Sequence, residues 1–191
     1  MSTFVPRTGI ACPGSERVAA SARGAAIRTA LLANQPAAVA QVAQWLHRQW
    51  FDALGYSPTH TEALLRRRLN RDQAPLALVA LAGREPVGTA AIVEDELPVD
   101  GGPAFCLSGV YVLPHWRGAG IGARLCRRAQ REARRLKLAS LGLYTSDCQA
   151  YYAGLGWAHR TDTWVQGGAG PEPVSFMEFI PSGRFRPADM R

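Results

Sequence analysis

The stretch Val110-Tyr-Val-Leu-Pro-His-Trp-Arg-Gly-Ala-Gly-Ile-Gly122 decides how this 191-residue chain is organised. It begins with an apolar run rich in β-branched valine, which predicts a strand that ends before Pro114. The segment from Gly120 to about Lys137 then has apolar residues at helical spacing, which are Ile121, Leu125, Ala129, Ala133 and Leu136. Glycines leave the backbone open, and a helix N-terminus presents free N–H groups. The order strand, glycine turn and helix therefore predicts a phosphate-binding site.

Two phosphate-binding designs fit this turn. One is the dinucleotide fingerprint Gly118-x-Gly120-x-x-Ala123, with Asp147 as a ribose-binding acid somewhat beyond the usual distance of ~20 residues. That fold needs several strand-helix units after the turn, whereas only about 70 residues follow Gly122. The other design includes Arg117 and gives Arg-Gly-x-Gly-x-Gly, with a second motif, Tyr151-Tyr-Ala-Gly-Leu-Gly-Trp157, further along the chain.

On these two motifs the chain resembles the GNAT superfamily of N-acetyltransferases. The pyrophosphate loop of that family, Q/R-x-x-G-x-G/A, is matched by Arg117 to Gly122, and the Val-x-Val-x-Pro strand end before it is matched by Val110 to Pro114. The second family signature, aromatic-Tyr-x-x-Leu-Gly-aromatic, is matched by Tyr151 to Trp157. The resemblance covers about residues 26 to 180 and is strongest over residues 107 to 157.

The resemblance implies a site for acetyl-CoA as co-substrate. The strands Leu107–Leu113 and Leu141–Thr145 would splay apart, and the pantetheine arm would bind the backbone of Val110 and Val112 in the gap. The pyrophosphate would bind the N–H groups of the glycine turn. The residues implied in cofactor binding are Val110, Tyr111, Val112, Arg117, Gly118, Ala119, Gly120, Ile121, Gly122 and Ala123.

The implied reaction is acetyl transfer to a primary amine of a small molecule or a peptide by direct attack. Tyr152 matches the general-acid tyrosine of the family, and a phenol suits this role because it stays protonated at neutral pH. The strand Phe105–Val112 contains no carboxylate, so the base stays open between Glu94, Glu96 and a water held by Ser108. The alternative is a module with the GNAT fold that binds acyl-CoA or nucleic acid without turnover.

The periodicity of the whole chain predicts the fold class. Antiparallel strands come first, then strand, helix, strand and helix, and a hairpin closes the domain. This order predicts an α/β (α+β) fold with a mixed, mostly antiparallel sheet and helices on both faces. The predicted strands are Ile27–Leu32, Leu76–Ala82, Pro86–Val93, the run into the glycine turn, Ser140–Thr145, Trp157–Val165 and Val174–Ile180.

Helix caps and aromatic residues give further predictions. Asn34 is predicted to cap a helix that begins at Gln35-Pro36 and continues to Trp50. In that helix Trp50, with Phe51 and Tyr56 after it, either packs in the core or lines an acceptor pocket. The other predicted caps are Thr59 or Thr61 for the second helix and Ser146 or Asp147 for the short helix that contains the second motif.

Length and composition predict one domain with a sizeable core, because 47% of the residues are apolar. We expect a mobile tail over residues 1–24, the GNAT-like domain over 25–181 and a C-terminal tail over 182–191. The net charge of +7 is compatible with nucleic acid, an anionic membrane or a polyanion such as coenzyme A. The resemblance favours a small-molecule or peptide amine as partner over a membrane or nucleic acid, and a homodimer stays open.

No membrane span, export signal or metal site is predicted. The longest apolar run, Ala74–Ala82, is far shorter than the ~20 residues of a membrane span, and Met1–Gly24 lacks an apolar segment typical of a signal peptide. Neither the four cysteines nor the four histidines show metal-ligand spacing. We interpret the cysteines as reduced thiols of a cytoplasmic protein.

Overall fold

A computed structural model describes residues 26–94, 102–167 and 170–181 of the chain. Within these ranges seven strands form one sheet with the order β1-β2-β3-β4-β5-β7-β6. The pair β4–β5 is parallel and the other neighbouring pairs are antiparallel. The strands are β1 (Ile27–Leu31), β2 (Leu76–Ala82), β3 (Glu85–Glu94), β4 (Phe105–Val112), β5 (Leu141–Thr145), β6 (Ala158–Gly167) and β7 (Gly170–Phe179). The predicted mixed, mostly antiparallel sheet is confirmed, and a doubly wound dinucleotide-binding fold is excluded.

Helices cover both faces of the sheet, as predicted. Helices α1 (Val39–Leu46) and α2 (Pro58–Arg66) pack on one face, where their apolar residues join those of β2 and β3 in a buried cluster. Helices α3 (Ile121–Arg135) and α4 (Gln149–Ala153) pack on the other face. The main apolar positions of α3 are fully buried there, which explains the helical spacing in the sequence: Ile121, Leu125, Ala129 and Ala133.

The first predicted helix is broken into separate turns, and its predicted cap is wrong. Residues Leu32–Asn34 and Pro36–Ala38 form 3-10 turns before α1, and His47–Phe51 continues α1 as a π-helical turn. The Asn34 side chain caps no helix because its Oδ1 accepts a hydrogen bond from Arg71 Nε at 2.7 Å. The Asn34 side chain therefore binds the segment around Arg71, which is distant in the sequence.

The other two predicted caps are also displaced. Helix α2 is capped by Ser57, whose Oγ accepts the His60 N–H at 3.1 Å, while Thr61 lies buried within the helix. At α4 the N-cap position is Cys148, and its N–H donates to Thr145 Oγ1 at 3.1 Å. In both cases a hydroxyl earlier in the chain than the predicted residue satisfies an N–H group at the helix start.

Several predictions fall outside the described ranges, namely the tails over 1–24 and 182–191 and the position of Glu96. Among the described residues no helix is both long and apolar enough to cross a membrane. Cys106 and Cys126 are reduced and buried. Cys148 is disulfide-bonded, which contradicts the prediction of a reduced thiol there, since pairing depends on the fold rather than on cysteine spacing.

Candidate active site

Strands β4 and β5 pair at their starts and then separate. The pair Cys106 and Gly142 joins them, and no later pair between these two strands follows in the described residues. The close approach at this point depends on Gly142, because a Cβ there would lie 2.8 Å from Cys106 Sγ. Beyond it, a gap opens toward the end of β4 that leads into the glycine turn. The splay that the resemblance implied is therefore present.

A β-bulge in β4 accompanies the gap. On β3, Ala90 alone faces two residues of β4, Gly109 and Val110, and Gly109 has a φ of +60° that favours glycine. A bulge bends the strand and increases its local twist, which turns the end of β4 away from β5. Gly109 is not among the residues predicted from the sequence, although an isolated glycine inside a strand pattern is a usual signal of a bulge.

The residues after the bulge point to different faces of the sheet. Val110 and Val112 belong to the cluster beneath α3 and α4. Tyr111 points to the α1 and α2 face, where its ring lies 5.8 Å from that of Trp45 and 6.2 Å from that of Trp50. The backbone from Val110 to Val112 thus borders the gap. The aromatic rings of Tyr111, Trp45 and Trp50 cover this backbone on the α1 and α2 face.

The two other residues considered for an acceptor pocket lie further away. Phe51 is only 2% exposed, and its ring packs edge-on against Tyr56 at 5.6 Å. Tyr56 in turn packs against His60 at 4.9 Å. Phe51 therefore packs in the core on this face of the sheet, whereas partly buried Trp50 reaches the Tyr111 side chain at the gap.

The glycine turn holds an open backbone between β4 and α3. Gly118 and Gly120 have φ values of +79° and +74°, which side-chain-bearing residues rarely adopt. The Arg117 side chain fixes the turn to the strand, since its Nε donates to the Val112 carbonyl oxygen at 3.2 Å. A Cβ on Gly120 would meet no atom within 4 Å, so the backbone is accessible at that position.

The start of α3 offers unpaired donors to this open space. The first helical bond runs from Arg124 N–H to the Gly120 carbonyl oxygen at 3.1 Å, so the amides of residues 121 to 123 come before it and have no helical acceptor. No acidic residue lies in the first turn. The helix dipole adds roughly half a positive charge, which favours an anion at this point.

Tyr152 of α4 is buried in the same cluster as Val110 and Val112. Its side chain is 1% exposed, and its ring packs edge-on against Trp157 at 6.2 Å. Burial raises the pKa of the Tyr152 phenol, and the nearby Cys126, Tyr151 and Asp147 raise it further. The phenol is therefore protonated throughout the neutral range.

Tyr151 contacts the start of α3. Its hydroxyl oxygen lies 2.9 Å from where a Cβ on Gly122 would be, and its ring packs edge-on against Tyr152 at 5.2 Å. The hydroxyl is buried without a hydrogen-bond partner, and burial raises its pKa. The sequence indicated that Gly122 opens the backbone to a ligand, whereas the space beside Gly122 is filled by Tyr151.

The structure does not bring the two candidate bases in the described ranges together. Ser108 is 6% exposed and pairs with Ala91, which lies in the cluster beneath α1 and α2. Glu94 is exposed at the end of β3 and pairs with Phe105, which packs against the cluster beneath α3 and α4. Because paired residues share a face, Ser108 and Glu94 lie on opposite faces of the sheet.

A sheet opened between two parallel strands, with a glycine turn and helix N-terminus at the open end, defines an enzyme fold that binds a phosphate-bearing substrate. The sequence model of the acetyltransferase (GNAT) family matches residues 39–157, more than half of the chain, and the chain belongs to that family. No curated protein sequence matches it.

Solved structures share this fold. An aminoglycoside 6'-N-acetyltransferase complexed with coenzyme A is 17% identical, with a TM-score of 0.63 over 84% of this chain and 99% of that one. YncA, a putative acetyltransferase from Salmonella typhimurium with acetyl-CoA, is 21% identical, with a TM-score of 0.59 over 86% and 98%. A ribosomal-protein-alanine N-acetyltransferase from Brucella melitensis is 26% identical, with a TM-score of 0.58 over 81% and 99%.

Proposed function

We propose that the protein is an N-acetyltransferase that transfers the acetyl group of acetyl-CoA to a primary amine of a small molecule or a peptide by direct attack, with Tyr152 as general acid. The gap between β4 and β5 carries this proposal, because it joins the open glycine turn to the buried cluster that contains Tyr152. Membership of the GNAT family and the similar structures with coenzyme A or acetyl-CoA support it.

The residues at the gap fit acetyl-CoA. The amides at the start of α3, the open backbone at Gly120 and the absence of an acid in the first turn suit a pyrophosphate. The backbone of Val110 and Val112 would hold the pantetheine arm, and residues 117 to 123 would hold the phosphates. The bound molecule supplies the thioester whose acetyl group is transferred.

In the proposed reaction Tyr152 would protonate the departing sulfur. Its raised pKa keeps the proton on the phenol, which would make it a poor acid toward a thiolate in water. The same cluster raises a thiol pKa as well, since burial raises the pKa of Cys126 to about 12. A thiolate that forms in this surrounding is therefore a stronger base than in water, which offsets part of the raised pKa of the Tyr152 phenol.

The amine is expected to approach from the α1 and α2 face. Tyr152 and the glycine turn occupy the other face, which leaves the side where Tyr111 meets Trp45 and Trp50. Aromatic rings attract an ammonium group and so increase its local concentration. The attacking form must be neutral, which costs ~4.6 kcal/mol at pH 7 for an amine of pKa ~10.4 but only ~1 kcal/mol for an α-amine of pKa ~7.8.

The identity of the base stays a prediction, and buried Ser108 lies on the face from which the amine would approach. A Ser108-held water would take the amine proton, whereas exposed Glu94 lies on the opposite face. An α-amine scarcely requires a base, because much of it is already neutral near pH 8.

The cytoplasmic location and the homodimer that the sequence left open also stay predictions.

Thiol release from acetyl-CoA, measured with a panel of amines between pH 6 and 9, tests the proposal. The panel includes aliphatic amines, aminoglycosides and peptides with free N-termini, and the control omits the amine. We expect amine-dependent thiol release and a product heavier by one acetyl group. Binding of acetyl-CoA without turnover of any amine would instead support the non-catalytic module.

A further inference from the structure

Helix α3 carries six arginines, and they fall into two groups. Arg128 and Arg135 form ion pairs with Glu132 at 2.8 and 2.7 Å, and Arg134 lies over the Phe179 ring at 4.8 Å. The remaining three have no carboxylate within 4 Å among the residues that the structure describes, and their side chains are exposed: Arg124, Arg127 and Arg131. Among the described residues, four of the six arginines on this helix, Arg134 included, are therefore not neutralised by a carboxylate.

These three arginines share one side of α3. Their spacing of three and four residues puts them on neighbouring turns, where like charges destabilise a helix. With Ile27 and Thr29 of β1 they line a cavity of about 150 Å³. Arg124 Nη1 donates to the Ile27 carbonyl oxygen at 3.5 Å, which positions this guanidinium at the cavity wall.

The cavity has the size and chemistry of a phosphate site. Its volume is about ten times the ~10–15 Å³ that admits one water, so a tetrahedral anion fits. Guanidinium groups present paired donors that match phosphate oxygens, and the three positive charges together more than neutralise a dianion. The segment that precedes β1 in the sequence, residues 1–25, contains three arginines and a single glutamate, so its composition adds positive rather than negative charge.

The cavity is separate from the proposed cofactor site. Helix α4, which carries Tyr152, contacts α3 from the other side, through Tyr151 at Gly122 and through the bond from Gln130 Nε2 to the Leu155 carbonyl oxygen at 2.8 Å. Strand β1 is the third strand from β4 in the sheet. At ~4.8 Å per strand, β1 is ~14 Å from the strand that borders the gap, and the cavity lies between β1 and the side of α3 that carries the three arginines.

We propose that Arg124, Arg127 and Arg131 form a second anion site that binds the terminal phosphate group of a small molecule, independently of acetyl-CoA. The ligand class is a phosphate monoester or inorganic phosphate. Binding there relieves the repulsion along α3 and links β1 to the helix through a shared anion. The site requires no turnover, so it can be tested whether or not the proposed acetyl transfer is correct.

Titration of the full chain with inorganic phosphate tests the site directly. Calorimetry should show saturable binding of one phosphate, and the Nε–Hε resonances of the three arginines should shift together. The double substitution Arg127→Gln and Arg131→Gln should weaken phosphate binding at least tenfold. Arg67→Gln is the matched control, because exposed Arg67 lies at the end of α2 on the opposite face of the sheet. It should leave phosphate binding unchanged.

Two further measurements distinguish this anion site from a part of the cofactor site and from a nucleic-acid surface. In one case coenzyme A competes with phosphate, and the double variant binds coenzyme A more weakly but binds coenzyme A without its 3'-phosphate as the parent does. The cavity would then belong to the cofactor site, and the proposal would be wrong. If phosphate does not saturate while a single-stranded oligonucleotide binds with a steep salt dependence, the surface is a nucleic-acid site instead. Equal phosphate affinity of the parent and the double variant would also overturn the proposal.

Discussion

The hydroxyl oxygen of Tyr151 lies 2.9 Å from the position that a Cβ on Gly122 would occupy, so the missing side chain of Gly122 lets α4 approach the start of α3. This contact joins the two motifs by which the sequence resembles its family. The glycine turn and the tyrosine motif are separated by about thirty residues, yet the last glycine of one accommodates the first aromatic residue of the other. The geometry of the glycine turn therefore depends on α4.

Gly122→Ala is expected to destabilise the protein by ~1–3 kcal/mol, because the added methyl group would overlap the Tyr151 hydroxyl. In a Tyr151→Phe background the nearest ring carbon is 4.0 Å away, so the same change should become neutral or stabilise by up to ~1 kcal/mol through helix propensity. Urea unfolding of the parent, the two single variants and the double variant measures these free energies as a double-mutant cycle. An equal loss in both backgrounds would show that the Tyr151 hydroxyl is not the obstacle.

Gly120→Asp is expected to abolish acetyl-CoA binding while the fold remains, because it places a negative charge where the phosphates should bind. Gly120→Asn is the matched control, since asparagine has nearly the same shape and also tolerates the positive φ of +74°. Calorimetry should show at least a hundredfold weaker binding for aspartate than for asparagine. Similar affinities for the two variants would mean that no phosphate lies near residue 120.

Alkaline pH is expected to destabilise the protein. Burial raises the pKa of Cys126 from 9.0 to about 12, and it also raises the pKa of Tyr152 above its usual value near 10. Their stabilising contribution is complete below pH 9 and is lost as the pH rises toward the folded-state values, because only the unfolded chain releases these protons. Each such group lowers the free energy of unfolding by ~1.4 kcal/mol per pH unit in its window.

Urea titrations at pH 7 to 11 measure this dependence. Cys126→Ala removes the contribution that is lost at the lowest pH. The decline of the free energy of unfolding between pH 9 and 10 should therefore become shallower, although the variant starts from a lower stability. A free energy of unfolding that is constant up to pH 11 would show that these groups are accessible to solvent.

Local pattern predicted most of the fold, because the signals were strong and short in range. The strand, glycine turn and α3 were predicted nearly to the residue, since apolar periodicity and glycine positions act within one turn or strand. The predicted cap at Asn34 is wrong because the distant Arg71 binds its side chain, whereas the other two caps are displaced to hydroxyls a few residues earlier in the chain. The bulge at Gly109 and the Tyr151 contact with Gly122 depend on strand register and helix packing, which spacing along the chain does not report.

Tyr152→Phe separates catalysis from binding. The substitution keeps the ring that packs edge-on against Trp157 and removes only the hydroxyl that would protonate the departing sulfur. We expect kcat to fall by ~10²-fold or more with acetyl-CoA affinity unchanged, because the lost interaction forms only as the thiolate departs. Tyr151→Phe is the matched control, since it removes the neighbouring hydroxyl, which is buried without a partner beside Gly122. If the Tyr152 variant keeps the parent kcat while the Tyr151 variant loses it, the proton comes from Tyr151, and Tyr152 serves only in packing.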